Sequence, residues 1–276
     1  MPLVAMTREM GSLGKDVAKG VAEALGTELV YHEIIDQLAD KMRVRKSHVV
    51  RLLDGKASML ERLTADKTSL SIYTADETFR IAERPRGVVI RGWGATQLLR
   101  PVGHAICVRV CAPLDVRVQR MMERLNTDDE DFVRREIEDS DEAQSAIIRR
   151  HFGINWQEPE HYDLTLNTER VPIDECTDEV LKLVRDDAFM ETAATQSTLA
   201  NLSLAAHVRA ALRLDPRTRK VSIVIEATQG EVTLSGILDQ NLDLEVVAEV
   251  AAAVPGVKSV KNHLKTTAGS RFKDDY

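Results

Sequence analysis

Residues 3–25 read LVAMTREMGSLGKDVAKGVAEAL, and the fold turns on how this stretch is read. Val4 and Met6 lie in a short apolar run closed by charge, which suits a buried strand. From Val17 the apolar positions recur at Val21, Ala24 and Leu25, the spacing of one helical face. Between the two lie Gly11, Ser12, Gly14 and Lys15. In a strand–loop–helix context, successive backbone N–H groups and a helix N-terminus can hold phosphate. The match to the Walker pattern is partial: Glu9 stands at the first glycine position and Asp16 where Ser or Thr should follow the lysine. Taken alone, the stretch fits a phosphate loop and an ordinary strand-to-helix turn equally well.

Strands and helices alternate outward from this point. TELVY (27–31) reads as a second strand, and His32-Glu33-Ile34-Ile35-Asp36 opens a helix whose early acids favour its dipole. Only helical patterns follow as far as Arg84, with Arg43, Arg45, Arg51, Arg80 and Arg84 as possible anion contacts or plain solvated charges. Val88-Val89-Ile90 is a continuous apolar strand, followed by Gly92-Trp93-Gly94, where two glycines permit close approach of backbone or ligand. Trp93 reads equally as a hydrophobic anchor or a stacking surface. AICVRVC (105–111) is the next strand. The helix after it carries Arg117, Arg120 and Arg124 on one face, which suits either phosphate or solvent. Residues 127–150 read as one or two charged helices, residues 162–166 as a last strand, and Ile173 to about Asp187 as a closing helix. This alternation predicts a parallel sheet with helices on both faces.

Composition bounds the rest. The chain has 276 residues, 43% hydrophobic and 29% charged, which suits one large and one small globular domain. A net charge of −7 argues against general nucleic-acid binding. The three cysteines, Cys107, Cys111 and Cys176, are too few for a disulfide framework and lack zinc spacing. Arg8 and Glu9 interrupt the first apolar run too early for a signal peptide, and no run has the length of a membrane span, so a cytoplasmic location is expected.

Residues 189–202 lose strong periodicity and read as a linker, with room in the reading for helical turns within it. Beyond it, Leu204, Val208 and Leu212 form a helical stripe. Val221, Ile223 and Ile225 alternate as a strand, Gln229-Gly230 turns, and Val232 and Leu234 alternate as its hairpin partner. Another helix runs to Pro255-Gly256, and Val260 and Leu264 mark a last strand. This α-β-β-α-β unit lacks a catalytic constellation of His, Cys or paired carboxylates and reads as a binding module.

Two resemblances follow. TREMGSLGKDVAKGVAEALG, YHEIID, VVIRGWGATQLL and INWQEPEHYDLTLNT, in this order, resemble the cytidylate kinase-like family, P-loop relatives of nucleoside monophosphate kinases. GEVTLSGIL followed by VAAAVPGVKSVKNHL resembles a BON domain. The expected organisation is a P-loop three-layer α/β/α domain with a mainly parallel sheet (1–188), a linker (189–202), a small α+β BON domain (203–266) and a tail (267–276).

The first resemblance implies ATP and Mg²⁺ as cofactors and phosphoryl transfer to CMP or another nucleoside monophosphate. Such catalysis is positioning plus electrostatic stabilisation. It implies Gly11, Ser12, Gly14, Lys15 and Asp16 on the nucleotide, Asp16 also toward the metal, and Lys15 as the catalytic cation. Asp36, Gly92, Trp93 and Asp141 fall on the acceptor side. Two departures stand out. The family tends to have Gly-Arg where this chain has Gly92-Trp93, and Asp-Lys-x-Arg where it has Asp141-Glu142-Ala143-Gln144. Arg134, Arg135, Arg149 and Arg150 are the nearby candidates to replace the lost cations, with Arg134 and Arg135 taken as the catalytic pair. The BON resemblance implies a protein or phospholipid partner. Against the phosphotransferase stands a second reading, a catalytically weak nucleotide sensor that signals to its BON domain.

Overall fold

The computed structural model describes residues 2–53, 66–92, 94–239 and 242–267, and divides into two compact units between Gln196 and Ser197. The first unit is built on a five-stranded sheet of β1 (Leu3–Arg8), β2 (Glu28–Val30), β3 (Val88–Arg91), β4 (Ala105–Cys111) and β5 (Leu164–Asn167). The strand order is β2-β3-β1-β4-β5 and every pairing is parallel. Parallel strands buried on both faces need continuous apolar sequence, which β1, β3 and β4 have. Arg8 and Arg91 stand at the C-terminal ends of β1 and β3, and one charge breaks the pattern inside a strand, Arg109 in β4.

Helices cover both faces, as the alternation predicts. On one face α1 (Gly14–Leu25) and α8 (Ile173–Val184) bury Val17, Val21, Cys176, Val180 and Leu181 against Val4, Met6, Val89, Ile106, Val108 and Val110. The other elements of this unit are α2 (His32–Met42), α3 (Lys46–Leu53), α4 (Lys67–Ala82), α5 (Ala95–Leu99), α6 (Leu114–Leu125) and α7 (Glu130–Phe152). Of residues 127–150, expected as one or two helices, those from Glu130 onward fall in the single helix α7, capped by the Asp129 carboxylate accepting from the Phe132 N–H at 2.9 Å. β1 lies at the centre, with connections leaving to either side. The crevice of such a sheet opens beyond the strand C-termini at that reversal, which is where the 9–15 loop sits.

The second unit contains a sheet ordered β6-β7-β8, formed by β6 (Val224–Thr228), β7 (Glu231–Leu238) and β8 (Ser259–Thr266). β6 and β7 pair antiparallel and β7 and β8 parallel, with α10 (Leu244–Ala252) between the last two. The core joins Leu204, Val208 and Leu212 to Ile225, Val232, Leu234, Val247 and Leu264, as the apolar pattern requires. The strand expected from Val221 begins at Val224, because the Val221 N–H closes a turn on the Thr218 carbonyl at 2.8 Å.

Helix α9 (Ala193–Leu214), which lies in this unit from Ser197 onward, starts well before the linker's expected end at 202. A reciprocal cap sets its start: the Thr195 N–H donates to Thr192 Oγ1 at 3.2 Å and the Thr192 N–H to Thr195 Oγ1 at 2.9 Å. This is the capping-box arrangement with threonine in the third helical position. Ala, Gln and Leu then propagate the helix without a strong apolar stripe.

Candidate functional site

β1 ends at Arg8, and the chain turns through Glu9-Met10-Gly11-Ser12-Leu13 into α1. Gly11 has φ +80° and Leu13 φ +58°, so the loop carries two left-handed residues in a short span. Gly11 also lies against α6: a Cβ there would stand 2.8 Å from the Arg117 carbonyl. Gly14 is closer packed still, since a Cβ at this position would lie only 2.6 Å from Arg8 Cβ and 3.0 Å from Val110 Cβ. These contacts press the start of α1 onto the end of the sheet.

The loop is tied internally. Ser12, fully buried, donates its hydroxyl to the Glu9 carbonyl at 2.8 Å, and the Ser12 N–H points to the same oxygen at 3.2 Å. From outside, Thr168 Oγ1 donates to the Ser12 carbonyl at 2.7 Å, and Arg120 clamps Thr168 through its hydroxyl and carbonyl at 3.0 and 2.7 Å. Ser12 is thereby a framework residue whose side chain faces the loop's own backbone. Among the described residues, the N–H groups of Gly11, Leu13, Gly14 and Lys15 have no acceptor. Unfilled donors at a helix N-terminus form an anion nest. Lys15 and Asp16 are exposed, and among the described residues neither side chain has an ion-pair partner.

Glu9 explains the partial Walker match. Glu9 is 5% exposed, and its carboxylate accepts from Arg109 at 2.5 Å and from the Ala112 N–H at 3.2 Å. Arg117 Nε lies 3.6 Å from the same carboxylate and donates to the Ala112 carbonyl at 3.0 Å. The Arg117 guanidinium also reaches the Met10 carbonyl at 3.4 Å and the Asp141 carboxylate on α7 at 2.8 Å. Two acids and two arginines thus close a buried network beneath the loop. Burial pushes the Asp141 carboxyl above the usual range, with Arg117 pulling the other way. Sequence reasoning placed Glu9 only as a missing glycine and left Arg117 on a solvated or phosphate-binding face. The signal available was Arg109, a charge in an otherwise apolar strand that must find a partner when buried.

Helix α7 reaches the same place a second time. Gln144 Nε2 donates to Thr7 Oγ1 at 2.8 Å, at the end of β1. Ser145 accepts the indole N–H of buried Trp156 at 2.7 Å and donates to the Asp141 carbonyl at 2.8 Å. Trp156 in turn places its ring 5.6 Å from the Arg109 guanidinium carbon. The buried Tyr162 phenol, pushed up to about 12 by burial, donates to the Trp156 carbonyl at 2.6 Å. The Cys107 thiol is likewise pushed up to about 12 by burial, which leaves it inert at neutral pH.

The expected site residues divide accordingly. The loop residues and Asp141 come together, and Gly92 joins them at the sheet edge by donating its N–H to the Met6 carbonyl at 2.8 Å. Asp36 pairs instead with Lys46 at 2.7 Å. Arg134 is held by Asp115 at 2.8 Å and Glu130 at 2.9 Å, while Arg135 is exposed. Trp93 lies outside the described residues. Among the described residues no helix is long and apolar enough to cross a membrane.

Among curated proteins, no sequence matches the chain. Solved structures similar to it include an uncharacterized protein from Eubacterium ventriosum, 21% identical with a TM-score of 0.53, covering 67% of this chain and 99% of that one. Shikimate kinase from Acinetobacter baumannii in complex with shikimate is 16% identical, TM-score 0.42, covering 67% and 93%. Shikimate kinase from Bacteroides thetaiotaomicron is 13% identical, TM-score 0.43, covering 67% and 99%. The first of these shows a common fold over two thirds of the chain. Residues 201–268 match the BON domain. Residues 3–170 match the cytidylate kinase-like family, and with more than half its length so matched the chain belongs to that family.

Proposed function

We propose that the first unit binds ATP on the 9–15 loop and transfers its γ-phosphoryl group to a small acceptor. The observation that supports this most is the row of unfilled N–H donors at Gly11, Leu13, Gly14 and Lys15 beside the exposed Lys15 ammonium. The N–H groups orient a polyphosphate, and Lys15 neutralises charge as the bridging bond breaks. Asp16 offers a hard, acceptor-only oxygen in the place of the usual hydroxyl and would hold Mg²⁺, which neutralises further phosphate charge when bound. The buried network of Glu9, Arg109, Arg117 and Asp141 keeps the loop in shape before the nucleotide arrives.

Arg134 must leave Asp115 and Glu130 to approach a phosphoryl group, so Arg135 is the more available of the two candidate arginines. The family points to CMP and other nucleoside monophosphates as the first acceptors to test, with Asp36, Gly92, Trp93 and Asp141 on that side. ADP formation from ATP and Mg²⁺ across a panel of acceptors, for the native chain and Lys15→Ala, tests the reading. Turnover abolished by Lys15→Ala is expected. Nucleotide binding without turnover on any acceptor favours the second reading, a sensor, which the Gln144 side chain in place of a cation supports.

For the BON unit we propose partner binding through the open face of its sheet. Val224 and Ile237 are 57% and 68% exposed there, in register with a strand that carries Lys261, His263 and Lys265. Flotation of the full chain with phosphatidylglycerol vesicles separates a phospholipid partner from a protein one.

A further inference from the structure

The end of β1 carries a second polar subsite, distinct from the phosphate loop. Thr7 is the penultimate residue of β1, and its hydroxyl accepts from Gln144 at 2.8 Å. Next to it β3 ends, with the Gly92 N–H on the Met6 carbonyl. The pair therefore stands at the C-terminal edge of the two central strands, where ligands enter sheets of this kind.

Beneath α7 the charge is already matched, and Arg91, which ends β3 beside Gly92, holds its guanidinium 3.8 Å over the Tyr31 ring. Arg117 and Arg109, the two arginines beneath α7, are 6% and 8% exposed and are matched by Asp141 and Glu9. Asp141 lies one turn before Gln144 on α7, so the helix offers this edge a paired acid followed by a neutral amide. A carboxamide has two donors and an acceptor that takes two bonds. Among the described residues Gln144 uses one donor, on Thr7. One N–H and the Oε1 remain, half-buried beside the strand end. That combination completes the hydrogen bonding of an alcohol, which needs one acceptor and one donor. It serves a phosphate dianion poorly, because such a group is held by charge-assisted donors.

We propose that Gln144 selects an uncharged hydroxyl on the acceptor, so that the substrate is a neutral polyhydroxyl compound, a sugar or nucleoside, in preference to a phosphate monoester. This rests on the 9–15 loop being the seat of ATP. Transfer then breaks the P–O bond between the γ-phosphorus and the β–γ bridging oxygen, with ADP leaving on that oxygen. It makes a P–O bond to the hydroxyl oxygen and releases the hydroxyl proton to water. Gln144 acts by recognition, holding the hydroxyl where it meets the γ-phosphorus.

The test uses the full chain, with inorganic phosphate as the probe, titrated onto the ADP·Mg²⁺-loaded protein and followed by ³¹P line broadening. The native chain is expected to show no second anion site. Gln144→Arg, its fold checked by tryptophan fluorescence, is expected to take up phosphate roughly tenfold more tightly, the step from a neutral to a charge-assisted donor. In turnover, cytidine and ribose are expected to outpace CMP in the native chain, with Gln144→Arg shifting the preference toward CMP. Phosphate held equally by both proteins, or CMP faster than both neutral acceptors in the native chain, overturns the proposal. ADP binding is measured first. If ADP fails to bind, the loop reading falls by itself, and the phosphate comparison on the unloaded proteins still judges Gln144.

Discussion

Replacing Glu9 by alanine removes the carboxylate that compensates Arg109 and half of what surrounds Arg117. Arg109 is 8% exposed, and Glu9 is its carboxylate partner. Arg117 keeps Asp141. The substitution therefore leaves one buried guanidinium uncompensated, together with the Ala112 N–H that had donated to Glu9 at 3.2 Å. Breaking a buried pair on one side costs about 3–5 kcal/mol. At about 2–4 °C per kcal/mol for a domain of this size, Tm falls by about 6–20 °C. Tryptophan fluorescence reports this unit alone, because the chain's two tryptophans, Trp93 and Trp156, both precede residue 197. Glu9→Gln keeps the bulk and one acceptor and should fall between the native chain and Glu9→Ala. A loss under about 1 kcal/mol, the worth of a surface pair, refutes the closed network beneath the loop.

Three further outcomes are expected. Gly14→Ala forces a methyl to within 2.6 Å of Arg8 Cβ, so it should cost about 1–3 kcal/mol in denaturant unfolding and weaken nucleotide binding together. His104 is 1% exposed with neither ring nitrogen bonded among the described residues, and burial holds its imidazole below the ordinary 6.5. Its neutral form is therefore fully compatible with the fold above pH 6.5, and stability is lost as pH falls below that value. His104→Leu should flatten this slope in urea titrations between neutral and mildly acidic pH, and a slope unchanged by the substitution counts against it. Asp141 behaves oppositely. Its raised carboxyl keeps its proton in the fold above the ordinary 3.8, so stability declines as pH rises from there through the folded-state value. The stability of Asp141→Asn relative to the native chain should accordingly improve across that window, and a pH-independent difference contradicts the assignment.

The sheet, its parallel order of alternating elements and the α-β-β-α-β unit were legible because each rests on apolar periodicity, which is local. The start of α9 was not. A threonine pair caps it, and its first turns carry Ala, Thr, Gln and Ser without a stripe. The site was legible in part, for the same reason. Gly11, Gly14 and Lys15 announce themselves by spacing, and Asp141 came in through the family motif. The network that shapes the loop joins residues far apart in the chain, Glu9 with Arg109 and Arg117. No window of sequence displays such a pairing. Only the charge inside AICVRVC points to it, and it names no partner.

The most direct measurement is isothermal titration of ATP with Mg²⁺ into the full chain and into Lys15→Ala. A phosphate loop at residues 9–15 predicts one nucleotide per chain, with affinity falling at least tenfold on loss of the lysine, about the 1.4 kcal/mol or more of a charge-assisted contact. No binding, or binding indifferent to Lys15, contradicts the account.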